Sequence, residues 1–185
     1  THVGTVLIDP ATGQIDPSWT LQARTGTNGG RVSVKSIKII NDHIYLGGIF
    51  THFQGNGASW TYARNGARLD INGKPDRSWN PEFNGTVIDI DVDENETYYY
   101  AAGYFTRAHD RVVENAGRLS TAAGAELDQS WTFRHSYLIG KYQQTVTAAN
   151  GRVYFGGSQH SLFGYNSDTM TRTSGSITMN NGGDL

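Results

Sequence analysis

The sequence predicts an all-β fold of the β-propeller type, built from repeated four-stranded units called blades. Three observations predict it. The phrase Asp-x-Ser-Trp occurs three times, ending at Trp19, Trp79 and Trp131. Its copies fall about 50 to 60 residues apart, close to the period of propeller blades. The chain also has 23 glycines and only 17% charged residues, a composition that suits short strands joined by tight turns.

Each unit contains a predicted hairpin after its tryptophan. The paired strands are predicted at 32–40 and 43–48, at 85–92 and 97–103, and at 144–149 and 152–157. The first pair meets at Asn41-Asp42 and the third at Asn150-Gly151. Asn-Gly is the strongest short hairpin signal, because both residues accept a left-handed backbone. A third strand is predicted in each unit at 66–70, 117–120 and 163–166.

These units divide the chain into a partial blade at 1–18, a blade at 19–78, a blade at 79–130 and a partial or divergent blade at 131–185. The 185 residues therefore amount to about 3.5 blades, whereas closed propellers have at least four. We expect the chain to be part of a larger ring, as a fragment of a longer polypeptide or as a protomer that other chains complete. The remaining blades are thus an expected partner.

The bulk composition limits the other partners. The net charge is −2, so no basic field is expected to attract nucleic acid. The chain has no cysteine, which excludes disulfides and cysteine-ligated metals. No apolar run reaches the roughly 20 residues that a membrane span needs.

Residues that recur in every unit are interpreted as structural, because a repeated position serves what every unit must do. The residues predicted to dock blades are Trp19, Trp79, Trp131, Gly48, Gly103 and Gly157. The glycines are expected to let a strand bend or approach a neighbour closely. The alternative for the tryptophans is an aromatic platform for a sugar or a base. Arg68 and Arg118 also recur, and we expect them to bond carbonyl groups between blades.

The densest acidic segment contains Asp89, Asp91 and Asp93. Oxygen ligands at alternate positions are typical of calcium loops, which makes these three residues candidate metal ligands. Apolar residues alternate with them, however, and this favours a strand with one solvated face. The sequence contains none of the common catalytic motifs, so no catalytic residue and no cofactor are predicted.

The best ligand-binding candidate is the insertion at 52–65, which is longer than its counterpart at 107–115. Unit-specific insertions usually form loops on one face of a repeat array, often the binding face. Within it, Phe53, Trp60 and Tyr62 are predicted to contact a ligand through their aromatic surface. The alternative is that Trp60 only caps the end of the blade.

Several phrases resemble the bacterial delta-60 type of β-propeller repeat. They include the segments at 78–81, 84–87, 100–106 and 116–119, which read Ser-Trp-Asn-Pro, Asn-Gly-Thr-Val, Tyr-Ala-Ala-Gly-Tyr-Phe-Thr and Ala-Gly-Arg-Leu. The resemblance covers nearly the whole chain, although Ala102 replaces an expected glycine. It implies a propeller from a secreted or surface-attached bacterial protein, and it implies no defined reaction.

Together, these observations predict a non-enzymatic, secreted or cell-surface scaffold that binds a protein or glycan through loops at its rim. Two alternatives stay open. The chain could be part of a propeller-fold hydrolase or lyase whose catalytic residues lie partly elsewhere. It could also be a structural component of an extracellular assembly.

Overall fold

The computed structural model describes residues 4–26, 30–133, 142–157, 161–173 and 177–178. Within them the regular structure is entirely β, with fifteen strands and no helix. The strands are β1 (Gln22–Arg24), β2 (Ser33–Ile40), β3 (His43–Ile49), β4 (His52–Gln54), β5 (Thr61–Tyr62), β6 (Gly66–Asp70), β7 (Val87–Val92), β8 (Tyr98–Gly103), β9 (Arg107–Ala108), β10 (Arg111–Val112), β11 (Ala116–Ser120), β12 (Gln143–Ala149), β13 (Arg152–Gly157), β14 (Ser161–Asn166) and β15 (Ile177–Thr178).

Three antiparallel sheets follow one another along the chain. Sheet 1 has the order β2-β3-β6, sheet 2 the order β7-β8-β11, and sheet 3 the order β12-β13-β14-β15. Strand β7 lies beside β2 on one side and β12 on the other, so the first strands of the three sheets are neighbours. A meander in each unit, with first strands side by side, is the arrangement of propeller blades. The predicted all-β propeller fold is confirmed.

The hairpins predicted from turn residues are also confirmed. Strands β2 and β3 meet at Asn41, whose φ is +48°. Strands β12 and β13 meet at Asn150 and Gly151, with φ of +53° and +70°. Positive φ at both central residues is the backbone of the type I′ turn, whose twist matches that of the flanking strands.

The fourth strand is short in the first two sheets. It is reduced to one bridge from Leu69 to Pro75 in sheet 1, and to one from Leu119 to Leu127 in sheet 2. In sheet 3 the corresponding bridge joins Tyr165 to Arg172, and the two-residue strand β15 pairs with the start of β14. Short edge strands of this kind limit edge-to-edge association of sheets.

The recurring glycines pack within their own sheets. Each lies opposite a register shift at the start of the first strand. A Cβ on Gly48 would lie 2.1 Å from the Ser33 carbonyl oxygen, and one on Gly103 would lie 2.2 Å from that of Thr86. At Gly157 the nearest atom would be the Cα of Gln143, at 2.8 Å. The predicted close approach is therefore present, but these contacts join strands of one blade and do not dock two blades.

Gly47, one residue before Gly48, does dock two blades. A Cβ there would lie 2.7 Å from side-chain carbons of both Val87 and Ile90 in sheet 2. The corresponding residue of sheet 2 is Ala102, which belongs to the core shared with sheet 3. A small residue is needed here because the first strand of the next sheet packs directly on it.

Tryptophans fill the space between sheets. Trp79 is fully buried, with its ring edge-on to Tyr45 of sheet 1 at 5.4 Å and to Tyr99 of sheet 2 at 4.9 Å. Trp131 is 9% exposed and lies in the core that sheets 2 and 3 share. Trp19 is only half-buried, and its indole nitrogen donates to the Thr5 hydroxyl. Such aromatic contacts supply large buried area at each junction.

Two arginines, Arg68 and Arg118, form hydrogen bonds between adjacent sheets. Arg68 donates to the carboxylate of Asp76, with Nη2 at 2.6 Å, and its Nη1 donates to the carbonyl of Thr121 in sheet 2. Arg118 repeats this arrangement with Asp128 and with the Ser167 carbonyl of sheet 3. The expectation that these arginines bond carbonyl groups between blades is confirmed. Each also links the third strand to the aspartate of the Asp-x-Ser-Trp phrase.

Candidate functional site

The insertion at 52–65 folds back into a small three-stranded sheet rather than an open loop. Its strands β4 and β5 pair with each other, and β4 also pairs with β1. Because side chains alternate between the two faces of a strand, Ala23, Phe53 and Thr61 point to the buried side. On the opposite side, Arg24, His52 and Tyr62 stand in direct register across the three strands.

This outer side carries a cluster of aromatic and polar groups. The Arg24 guanidinium lies 4.2 Å above the Trp60 ring, and the rings of His52 and Tyr62 meet edge-on at 5.4 Å. Tyr62 is 43% exposed. We define the aromatic face as Gln22, Arg24, His52, Gln54, Trp60 and Tyr62. An open groove of about 270 Å³ adjoins it, lined by Thr20, Gln22, Gln54, Gly55, Gly57 and Ala58.

The aromatic face carries one fixed positive charge. Among the residues that the structure describes, Arg24 forms no ion pair. Burial lowers the pKa of His52, and the charge of Arg24 lowers it further. His52 is therefore a neutral imidazole at pH 7, since even its ordinary pKa is about 6.5. Its Nδ1 lies 2.9 Å from the Thr51 hydroxyl, a contact that orients the ring.

The prediction that Phe53 contacts a ligand is wrong. Its ring is fully buried and lies 4.5 Å from the ring of Phe50, within the core of sheet 1. It has no surface for a ligand and instead anchors the small sheet. Trp60 and Tyr62 stay as candidates, and the structure adds Arg24 and His52 beside them. The alternation of His52, Phe53 and Gln54 was a signal for this, because polar neighbours on both sides of an apolar residue indicate a half-buried strand.

The prediction that the acidic residues of β7 form a solvated face is wrong, because their carboxylates bond to the neighbouring strands. Asp91 is only 7% exposed. It forms an ion pair with Lys38 of sheet 1 at 2.7 Å and accepts a hydrogen bond of 2.7 Å from the Ala148 amide of sheet 3. Asp89 likewise accepts from the Ser36 hydroxyl of sheet 1 and from the Val146 amide of sheet 3. These carboxylates tie three first strands together.

The same contacts leave little capacity for calcium. The two oxygens of Asp89 already accept from donors in two sheets, and Asp93 accepts from the amides of Thr97 and Tyr98. Within the described ranges, no group of three or more histidine, cysteine, aspartate or glutamate side chains could hold a metal ion.

A second polar cluster lies between sheets 1 and 2, and the sequence did not indicate it. The Glu96 carboxylate accepts from the Tyr45 hydroxyl at 2.9 Å and from the Asn41 amide at 2.8 Å, and it lies 2.5 Å from Nδ1 of His43. Burial alone would raise the pKa of Glu96, but the donors Asn41, Tyr45 and His43 outweigh it and lower that pKa. More than 50 residues separate Glu96 from these donors, so no local motif could show the cluster.

This arrangement defines the protein as a β-propeller segment with an exposed aromatic face on one side. No protein-family model matches the chain, and no curated protein matches it in sequence. Among solved structures, the chain is similar to the WD40 repeats of RRP9, with a TM-score of 0.54 and 8% sequence identity. The match covers 88% of this chain and 45% of that one, so the chain spans less than half the length of this structural relative. At such low identity the likeness shows the fold alone. In the described part of the chain, no helix is long and apolar enough to cross a membrane.

Proposed function

We propose that this propeller segment is a non-enzymatic scaffold that binds a protein partner through the aromatic face. One observation carries the proposal. Arg24, His52 and Tyr62 stand in register across the small sheet, with the Arg24 guanidinium stacked on Trp60. Tryptophan, tyrosine and arginine are the residues most enriched among those that dominate the energy of protein interfaces.

The support beneath the face favours binding. Phe53 and Ala23 are buried on the inner side of the same strands and belong to the core of sheet 1. Side chains on a packed sheet lose less conformational freedom on binding than side chains on an open loop, so more of the contact energy appears as affinity. The lone charge of Arg24 favours partners that offer a carboxylate, which a guanidinium binds in a bidentate manner.

We further propose that the protein is secreted or attached to a bacterial cell surface. This part rests only on the resemblance to delta-60 type repeats. Protease treatment of intact cells that produce the protein from its own gene tests it: degradation is expected, whereas full protection until lysis would contradict a surface location.

The binding proposal is tested with a random peptide library displayed on phage and selected against the purified chain. We expect enrichment of peptides that contain acidic residues, and loss of their binding in Trp60→Ala and Tyr62→Ala. Tyr104→Ala is the matched control, because Tyr104 is a tyrosine 53% exposed in the segment after β8. Equal binding by all variants would assign the peptides to another surface and contradict the proposal.

A glycan array and an assay for hydrolysis of sugar polymers, run with the same variants, separate the rivals. Glycan binding that disappears in Trp60→Ala, without peptide binding, would replace the protein partner by a carbohydrate. Hydrolysis that survives both substitutions would favour the enzyme. Self-association without any ligand would favour a structural assembly.

A further inference from the structure

Two isoleucines on the first strand of sheet 1 are exposed at positions that are buried in the other sheets. Ile37 is 51% exposed and Ile39 is 59% exposed. Counting from the register shift in each first strand, their counterparts in sheet 2 are Ile90 and Val92. These are only 5% and 1% exposed. In sheet 3 the corresponding side chains, Val146 and Ala148, are also buried.

The two internal junctions show what covers these positions. Ile90 and Val92 share a core with Tyr45, and Gly47 lies against Ile90. Val146 and Ala148 share a core with Tyr100 and Ala102. In both cases the cover is the second strand of the preceding sheet, which presents a tyrosine followed two residues later by a small residue.

Residues 5–9 correspond to the third strand of a preceding sheet. Ile8 bridges Ile15 as Leu69 bridges Pro75 and Leu119 bridges Leu127. Leu69 and Leu119 are fully buried, on third strands that pair with the second strand of their sheet. Ile8 is 50% exposed, and no described strand pairs with this edge of residues 5–9.

Trp19 lies next to residues 5–9, since its indole nitrogen donates to the Thr5 hydroxyl. Its counterpart Trp79 is fully buried, partly by the ring of Tyr45, whereas Trp19 stays half-buried. We define the slot as the space between the edge of residues 5–9 and the side chains of Trp19, Ile37 and Ile39. The slot corresponds to one further sheet junction, which precedes the junctions between sheets 1 and 2 and between sheets 2 and 3.

We propose that the slot holds a β-hairpin of the same repeat type. Its second strand pairs with residues 5–9 and lays a Tyr-x-Gly or Tyr-x-Ala sequence on Ile37, Ile39 and Trp19. Its first strand carries side-chain acceptors at alternate positions, as at the junction of sheets 2 and 3, where Asp89 and Asp91 accept from the backbone amides of Val146 and Ala148. Pairing at an open edge combined with side-chain pockets is a common mode of strand recognition. This proposal does not depend on the aromatic face.

The chain itself supplies a matching hairpin for the test. A copy of residues 85–111 is joined to Thr1, which reproduces the spacing between β8 and β11 in sheet 2. The chain has no cysteine, so Ile39→Cys provides one thiol in the slot, and its reaction with a thiol reagent reports exposure. Ile71→Cys is the control, because Ile71 is 44% exposed in the turn after β6.

We expect the thiol at position 39 to react about tenfold more slowly in the extended protein, as protection by a packed element requires. The thiol at position 71 should react equally in both proteins. A copy that carries Ala102→Glu should fail to protect position 39, because its second strand can no longer pack closely.

Three outcomes would overturn the proposal. The first is an unchanged reaction at position 39 in the extended protein. The second is protection of that thiol in the unextended chain at every dilution, which would mean that the chain covers its own face. The third is protection that grows with protein concentration without the extension, which would assign the slot to a second copy of the whole chain.

Discussion

The Glu96 carboxylate in sheet 2 accepts a hydrogen bond of 2.9 Å from the Tyr45 hydroxyl of sheet 1. The next junction lacks this contact. Tyr100 takes the place of Tyr45, and Asn150 takes the place of Glu96 with the same φ of +53°. Among the described residues, the buried hydroxyl of Tyr100 has no hydrogen-bond partner. Burial raises its pKa to about 12, and both the charge and the nearby side chain of Arg118 oppose this rise without forming a hydrogen bond of good geometry. Tyr45 and Tyr100 occupy the same position of the repeat, but only the Tyr45 hydroxyl donates a hydrogen bond to a carboxylate.

This difference predicts different responses to the same substitution at the two positions. Tyr45→Phe should lower the free energy of unfolding by about 1.5–3 kcal/mol, because it removes a hydrogen bond to a charged acceptor. Tyr100→Phe should leave that free energy unchanged or raise it slightly, since it removes a buried hydroxyl without a partner. Urea denaturation of both variants measures the two values. A larger loss for Tyr100→Phe than for Tyr45→Phe would contradict the assignment.

The same cluster predicts a dependence of stability on pH. The pKa of Glu96 is lowered in the folded protein from an ordinary value of 4.5, and serine and arginine donors lower those of Asp76 and Asp128 although burial opposes them. A carboxyl group with a lowered pKa stabilises the fold fully above its unfolded pKa and loses that contribution as the pH falls through its folded pKa.

We therefore expect the free energy of unfolding to decline below about pH 4.5, the region where the unfolded carboxyl groups bind protons. Glu96→Gln should make this decline shallower. Asp42→Asn is the control, because Asp42 is exposed in the turn beside Asn41. Urea titrations between acid and neutral pH measure the free energy of unfolding. If this free energy depends on pH equally in Glu96→Gln and in the unsubstituted chain, Glu96 has no role in the decline.

The docking role of Gly47 predicts a cost for one added methyl group. Gly47→Ala places a carbon 2.7 Å from Val87 and Ile90, so sheets 1 and 2 must separate, at a cost of about 1–3 kcal/mol. Gly117→Ala is the matched control in a strand, because its nearest neighbour would lie 3.5 Å away. Thermal unfolding should show a lower Tm for the first variant and little change for the second. Equal Tm values would mean that the junction absorbs the added carbon.

The repeated tryptophans should not contribute equally to stability. Trp79→Ala opens a cavity at a fully buried site and should cost about 3–5 kcal/mol. Trp19→Ala should cost distinctly less, because that side chain is half-buried and leaves a smaller cavity. Denaturant unfolding of both variants compares them, and a reversed order would show that Trp19 is covered in solution.

The contacts of the acidic strand predict how the fold responds to calcium. Donors from sheets 1 and 3 occupy the carboxylates of Asp89 and Asp91, so we expect the same Tm in added calcium and in a chelator. Asp91→Ala should destabilise the protein by about 1–3 kcal/mol, because it leaves the buried Ala148 amide without its acceptor. A rise in Tm with calcium that Asp91→Ala abolishes would restore the metal interpretation.

The sequence by itself determined the repeat, the hairpins and the boundaries of most strands. Those features are local: Asn150-Gly151 adopts its turn without help from distant residues, and strands β2, β6 and β13 follow from alternation and flanking turns. The hydrogen bonds that Arg68 and Arg118 form between sheets were also predicted, because these arginines recur at one position of the repeat.

Only the tertiary structure decided what each strand faces. The alternation of apolar and acidic residues in β7 shows that the acidic side chains share one face of the strand, but not whether that face meets water or other strands. In the structure, donors from two neighbouring strands bind Asp89 and Asp91. Likewise, Phe53 and Tyr62 are both aromatic residues of one insertion, but the register of β4 and β5 buries the first and exposes the second. The side chains of a strand alternate between its two faces. Which face packs on the core depends on contacts between segments that are distant in sequence.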